Sequence, residues 1–238
     1  MRDGVELTTD QLGHAIAHAR LGDPHPCVAA LPQERTGEQE RAAKKAAWQE
    51  FVRLGLVSPS GALLPEFVDV LAMLVRPQTE CSAWIAGAPG GDVAVLGAGT
   101  GDAAVLARRT GEQVSLRSAD PATLIERVVR ELPRFPDGEG PRIAVRQTEF
   151  SSGRGGPAEL VALRSIVAQP RWGCAQLAVA RRRRNGTRLR VQQPLTVLDT
   201  KGAGRWCTYL DEPWIVAAPG RQSWLVDKLS DWEKSLAG

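Results

Sequence analysis

Apolar and polar residues alternate on both sides of Asn185-Gly186, within the stretch 181–210. Asn-Gly accepts the positive φ angles of a type I′ turn, so this dipeptide predicts a β-hairpin. A second turn, 200–204, follows the apolar run 195–198 and leads into another candidate strand. Because parallel pairing needs a crossover of about a dozen residues or more, these strands are predicted to form an antiparallel meander.

A second meander is predicted earlier in the chain, between residues 82 and 118, where short apolar runs are separated by glycine-containing turns. Its candidate strands are Trp84–Ala86, Asp92–Leu96, Ala103–Arg109 and Gln113–Arg117. The intervening segments are too short for helical crossovers, so these strands are also predicted to pair antiparallel.

Helical periodicity precedes and follows each meander. Thr8 and Thr36 each stand three residues before a glutamine, which is the capping-box spacing of a helix start. Helices are predicted from these two threonines, from Pro65, after Asp120-Pro121, from Pro157 and over residues 221–236.

The two halves of the chain repeat this order: helical material, a meander and then a closing amphipathic helix. The apolar face of the first closing helix carries Leu124, Ile125, Val128, Val129 and Leu132, and the second carries Trp224, Leu225, Lys228, Leu229 and Trp232 at the same spacing. We therefore expect one domain over residues 1–238, with quasi-repeat halves of about 1–135 and 140–238. The expected fold class is α+β.

Composition excludes several classes of protein. Hydrophobic residues make up 43% and charged residues 24% of the 238-residue chain, and its net charge is +3. These values are ordinary for a globular protein, and the charge does not by itself indicate nucleic acid. The sequence contains neither an apolar run of 18 residues nor an apolar N-terminal leader, so a cytoplasmic location is expected. The four cysteines lie far apart without a CxxC pair, which predicts reduced thiols and no metal cage.

The run Val93–Asp102, VAVLGAGTGD, allows two interpretations. It is similar to the first motif of S-adenosylmethionine-dependent methyltransferases, in which a strand ends in a GxGxG loop, and Asp120 stands where a ribose-binding acid is expected. The alternative is a hairpin whose turn is 97–101 and whose return strand is 103–109. The hairpin is favoured because the segment after the glycines is short for a crossover helix.

Other candidate sites are weaker. His14 and His18 share a helix face, but a zinc site needs three or four protein ligands, so no metal is expected. The arginines of residues 181–190 could bind phosphate groups of nucleic acid. Since no aromatic residues interleave with them, a solvated hairpin surface is favoured.

The seven tryptophans are unusual beside one tyrosine. Trp172, Trp206 and Trp214 lie on or beside predicted strands, which indicates core positions. Trp224 and Trp232 share one stripe of the last helix and are also interpreted mainly as core. Because tryptophan is enriched among interface anchors, the rim of that helix is a candidate contact surface.

The order of elements, with the basic hairpin, the run Val197–Thr200 and the strand Arg205–Tyr209 after a glycine turn, resembles the C-terminal half of the EspG family. The N-terminal order, from LTTDQL through the helix RAAKKAAWQEFVRLGLV to Arg76-Pro77, is similar as well. EspG proteins are cytoplasmic chaperones of actinobacterial type VII (ESX) secretion. The resemblance implies a quasi-symmetric fold, in which two helical bundles flank a central antiparallel sheet.

The resemblance also implies the function: a non-enzymatic chaperone without a cofactor, which binds the helical tip of a PPE protein in a PE–PPE heterodimer or a similar secreted client. It implies neither nucleic-acid nor membrane binding, and a monomer or weak homodimer is expected. Expected contact residues are Trp224, Leu225, Lys228, Leu229 and Trp232, with Gly97, Gly99 and Gly101 as a second edge. Replacing Leu229 or Trp232 by Arg is expected to weaken client binding without unfolding the protein.

Overall fold

Strands of both chain halves join in one sheet in the computed structural model, which describes residues 4–31, 34–152 and 156–237. In these residues the first half contains β1 (Val5–Thr8), α1 (Thr9–His18), α2 (Gly37–Arg53), α3 (Pro65–Val75), β2 (Thr79–Ala86), β3 (Val93–Thr100), β4 (Ala103–Thr110), β5 (Gln113–Ala119), a 3₁₀ turn (Pro121–Thr123) and α4 (Leu124–Arg130). The second half contains β6 (Ile143–Arg146), α5 (Gln147–Ser151), α6 (Ala158–Ala168), β7 (Arg171–Arg182), β8 (Arg188–Arg190), β9 (Leu195–Thr200), β10 (Gly204–Asp211), β11 (Trp214–Pro219) and α7 (Gln222–Ser235).

The strand order is β1-β5-β4-β3-β2-β7-β9-β10-β11-β6. The short strand β8 pairs with the C-terminal part of β7, on the same side of β7 as β9. The strands of each named pair run antiparallel. From the central β2–β7 pair to each edge of the sheet, the strands of one half's meander come first, and the first strand of that half lies at the edge. The predicted α+β class with a central antiparallel sheet is confirmed, while the boundaries of the quasi-repeat halves stay a prediction.

Strand alternation separates two layers of helices. On one face, α1–α3 cover the outer strands of the first half, with Leu96, Val105 and Val114 in their shared core. On the same face, α5 and α6 cover the outer strands of the second half, where Trp206 and Ala217 are buried. On the opposite face, α4 and α7 pack over the centre of the sheet.

The predicted helix starts are confirmed at both capping boxes. The Thr8 hydroxyl oxygen accepts from the Gln11 backbone N–H at 3.1 Å, and the Gln11 side chain accepts from the Thr8 N–H at 2.8 Å. Thr36 and Gln39 make the same reciprocal pair at 3.3 and 2.9 Å. These bonds satisfy backbone donors that a helix start leaves without intrahelical acceptors.

The hairpin at Asn185-Gly186 is present, but its turn is not type I′. Gly186 has a φ of 86°, whereas Arg20 is the one non-glycine with positive φ in the described ranges. The Asn185 side-chain oxygen accepts from the Thr187 N–H at 3.0 Å, and the Gly186 N–H donates to the Arg183 carbonyl at 2.9 Å. The asparagine side chain thus stabilises a three-residue loop ending in a left-handed glycine.

The first strand of the second half, β6, is only four residues long. β6 ends at Arg146 because its partner β11 begins at Trp214, directly opposite. The Gln147 N–H donates to the carbonyl of Pro213 at 3.0 Å, and the chain then turns into α5.

Candidate partner-binding face

A single row of paired residues crosses the sheet from edge to edge on the face that carries α1–α3 and α5–α6. The row runs Leu7, Val114, Arg109, Ala94, Trp84, Gln176, Thr196, Thr208, Ala217 and Ile143. Its two ends are buried under the two helical bundles, while Trp84 and Gln176 at its centre are exposed. The bundles therefore leave an open strip along β2 and β7, which we call the open face.

Trp84 is the main apolar side chain of the open face, and 43% of its surface is exposed. The guanidinium carbon of Arg109 lies 5.4 Å from the centroid of its ring. Arg109 itself donates to the Ala29 carbonyl at 2.8 Å, so the loop between α1 and α2 holds the arginine in place. A tryptophan fixed in this way loses little side-chain entropy on binding, which suits an interface anchor.

The open face contains two clefts that meet at Trp84 and Gln176. The first, of about 600 Å³, is lined mainly by carbon atoms of Leu31, Trp84, Ala86 and Cys174, with Arg171 and Asp92 at its margins. Leu31 is 80% exposed, so it offers further apolar surface at the mouth of this cleft. Trp84 and Leu31 thus expose apolar surface in one and the same cleft.

The second cleft, of about 540 Å³, contains a buried carboxylate and has a larger polar share in its lining than the first, so we call it the polar cleft. Glu80 is 5% exposed and accepts hydrogen bonds from the guanidinium of Arg188, with a distance of 3.1 Å from Arg188 Nε to Glu80 Oε2. His25 Nε2 lies 3.6 Å from the same carboxylate. Burial raises the pKa of Glu80, but the hydrogen bonds from His25 and Arg188 outweigh it and lower the pKa to about 2.

The predicted contact residues of α7 divide into two groups. Leu225 and Leu229 are fully buried between α7 and the sheet, which corrects the expectation that they line a rim. Trp224, Lys228 and Trp232 are half-buried and surround Tyr209; the Lys228 ammonium lies 4.5 Å from the centroid of the Tyr209 ring and 5.2 Å from that of Trp232. These three lie on the side of the sheet opposite the open face, and their role in binding stays a prediction.

The glycines of the candidate second edge are also divided. The hairpin interpretation is confirmed, but its turn is limited to Gly101-Asp102, because β3 extends to Thr100. Gly97 and Gly99 are buried inside β3, so they cannot form an accessible edge. A Cβ atom on Gly97 would lie 2.8 Å from Val128 Cγ2, which shows that α4 packs directly on this backbone. Gly101 is exposed, and its predicted contact stays untested.

This local structure does not support the methyltransferase alternative. A cofactor loop of that class follows a parallel strand and begins a helix, whereas β3 and β4 are consecutive antiparallel strands. Asp120, the candidate ribose ligand, accepts instead from the Ala122 N–H at 2.9 Å and caps the 3₁₀ turn. These glycines thus allow a helix to pack closely on β3 and the chain to turn tightly between β3 and β4.

Several other side chains singled out in the sequence have structural partners. His14 lies 3.4 Å from Asp10, and the ring of His18 packs on Trp48 with centroids 4.7 Å apart. Within residues 4–31, 34–152 and 156–237, no cluster of three or more histidine, cysteine or acidic side chains could hold a metal ion. Among those same residues, no helix is both long and apolar enough to cross a membrane.

The structure confirms one and corrects two of the three tryptophans that were assigned to the core on or beside strands. Trp206 is buried as expected, but Trp172 is 64% and Trp214 38% exposed. Trp172 packs against Lys201 and Trp214 against Arg146, with the cations 4.9 and 5.1 Å from the ring centroids. Sequence reasoning also missed Trp84 as a surface residue, since a tryptophan in an apolar strand is ordinarily assigned to the core.

Comparison with known proteins identifies a matching family and a solved structure that is similar over nearly the whole chain. The family model described as the EspG family matches residues 8–231. Among solved structures, the chain is similar to the Mycobacterium tuberculosis type VII secretion system chaperone EspG5, solved in complex with the PE25–PPE41 dimer. The two share 14% identity over 97% of this chain and 96% of that chain, with a TM-score of 0.72. The search of curated proteins gives no match.

Proposed function

The chain belongs to the EspG family, and we propose that it is a chaperone of a type VII secretion system. The observation that carries this proposal is the family match over residues 8–231, which spans both helical bundles and every strand of the sheet except most of β1. We propose as its client a PE–PPE heterodimer or a similar helical secreted pair. The shared fold with EspG5, a protein solved with the PE25–PPE41 dimer, supports this type of client.

We propose that the open face binds the tip of the client. Trp84 and Leu31 supply the apolar contact, and the strands beneath them are held by pairing on both sides. Because these strands are already ordered, little conformational entropy is lost when a partner binds. The chaperone acts by occupying an apolar patch that would otherwise drive the client to aggregate.

In this proposal the protein changes the solubility of its client and not its covalent structure. Binding without chemistry requires no cofactor and no activated nucleophile. The expected site of action is the cytoplasm, where a client must stay soluble until export.

Co-expression tests the proposal directly. The chain is produced together with each PE–PPE-type pair encoded in its own genome, and soluble fractions are analysed by size exclusion. One or more pairs should co-elute with the chain as a single complex and should be less soluble without it. Failure of every pair to co-elute, with the chain folded, would contradict the proposed function.

A further inference from the structure

Three arginines of the β7–β8 hairpin point to the open face. Glu80 pairs with Ala180, and Ala180 pairs with Arg190, so these residues share one face of the sheet. Arg182 lies two positions along β7 and pairs with Arg188, which places both on that face as well. Arg182, Arg188 and Arg190 all line the polar cleft beside Glu80.

Positive charge exceeds negative charge at this end of the open face. The Glu80 carboxylate is already committed to Arg188, with His25 on its other side. Arg182 donates through Nη1 to the Gly186 carbonyl at 2.8 Å, but its buried Nε has no hydrogen-bond partner within the described residues. The guanidinium of the exposed Arg190 has neither an ion pair nor a hydrogen bond in the same part of the chain. The remaining acid of the cleft, Asp23, is exposed at its mouth.

We propose that Arg182 and Arg190 bind a carboxylate of the client, carried by an aspartate or glutamate beside its apolar tip. This inference rests on the proposed function and adds the chemistry of the second contact. Guanidinium groups match carboxylates in geometry, and hydrogen bonds between these charged groups are stronger than those between neutral groups.

The sheet geometry fixes the spacing between the two contacts. Glu80 and Trp84 are four residues apart on β2, which corresponds to about 13 Å at about 3.3 Å per residue. On a client helix lying along β2, about nine residues span that distance at 1.5 Å per residue. The client acid is therefore expected about two and a half helical turns from the apolar residue that contacts Trp84.

The distribution of charge favours a single carboxylate over a nucleic acid. At the other end of the open face, Asp92 and Glu112 line the apolar cleft together with Arg109 and Arg171, so the formal charges there balance. The excess of positive charge is therefore confined to the cleft beside Glu80. A single carboxylate can stay in that cleft, whereas a polyanion that followed the strip would leave it.

The test compares two arginines that carry the same charge change. Arg190→Glu alters the cleft, whereas Arg184→Glu alters the exposed tip of the same hairpin, outside the lining of the cleft. Both variants are measured against the PE–PPE-type pair that co-elutes with the wild-type chain, by titration calorimetry at two salt concentrations. Arg190→Glu should weaken binding about tenfold or more and reduce its salt dependence, while Arg184→Glu stays within about twofold.

A charge reversal on the client completes the test. Each aspartate and glutamate at the client tip is changed to lysine, and one change should restore binding to Arg190→Glu. Equal affinities of both variants and wild type, or equal losses in both, would overturn the inference while leaving the proposed function intact. If the wild-type chain captures none of the pairs, the proposed function itself fails. Urea midpoints equal to that of wild type show that both variants are folded.

Discussion

Trp84 of β2 lies directly opposite Gln176 of β7, at the junction of the two chain halves. Each half provides a bundle that covers its own outer strands, so the junction on that face is left uncovered. The opposite face differs, because α4 and α7 pack over the same strands from behind. The open face thus lies where the two halves join, on strands that are paired on both sides.

Cys174 should report whether the open face is occupied. It is half-buried and lines the apolar cleft, whereas Cys27, Cys81 and Cys207 are buried. Burial raises the pKa of the Cys27 and Cys207 thiols to about 12, so very little thiolate is present near neutral pH. Native protein should react with a disulfide reagent at one thiol, and saturating client should slow that reaction about tenfold or more.

The Cys174→Ser variant is the control, and it should show no fast reaction in the folded state. An unchanged rate of Cys174 labelling in a saturated complex would mean that the client binds elsewhere.

Glu80 should make stability depend on acid pH. Its pKa is about 2 in the folded protein, below the value of about 4.3 for an unfolded glutamate. Unfolding therefore takes up a proton in this range, so the stabilisation is complete above about pH 5 and is lost as pH falls toward 2. Glu80→Gln should lower the free energy of unfolding by about 2–3 kcal/mol at pH 7 and by much less near pH 2. Urea unfolding at several pH values measures both effects.

An exposed pair provides the matched control for that series. Glu126 and Arg130 form an i,i+4 ion pair on α4, and such surface pairs contribute little. Glu126→Gln should leave the unfolding free energy within about 0.5 kcal/mol of wild type at every pH. A difference between Glu80→Gln and wild type that is constant from pH 7 to 2 would contradict the assigned role of Glu80.

Leu229 should act as a core residue and not as a contact residue. It is fully buried between α7 and the sheet, so Leu229→Ala should cost about 2–4 kcal/mol of stability, and Leu229→Arg should prevent folding. Its neighbour Lys228 lies over two aromatic rings at the surface, and Lys228→Ala should cost only about 1–2 kcal/mol. Urea unfolding distinguishes these values. A stable, soluble Leu229→Arg protein would show that α7 packs differently.

Local signals predicted much of the fold. Both capping boxes, the proline-started helix at Pro65 and the two meanders depend on neighbouring residues, and all are present. The predicted type of the turn at Asn185 was wrong. The Asn185 side chain accepts a hydrogen bond from the backbone N–H of Thr187, and an Asn-Gly dipeptide alone does not specify this bond.

The candidate site depended on contacts that sequence patterns do not contain. Glu80 and Arg188 are 108 positions apart, and only the register of β2, β7 and β8 brings them together. Arg188 and Arg190 of the hairpin are exposed, as predicted, but the sequence does not show that they line one cleft of the open face together with Arg182. Trp84 is exposed because the two bundles leave it uncovered, and Leu229 is buried because α7 packs on the opposite face, although both lie in apolar segments.

The affinity of Trp84→Ala for the client tests the central claim most directly, with Trp214→Ala as its control. Both tryptophans are about equally exposed, at 43% and 38%, and both contact an arginine, but Trp214 lies on the opposite face of the sheet. Trp84→Ala should weaken binding of the captured PE–PPE-type pair about 30-fold or more, with an unchanged urea midpoint, while Trp214→Ala binds like wild type. Equal affinities of Trp84→Ala and wild type would contradict the assignment of the open face as the client-binding surface.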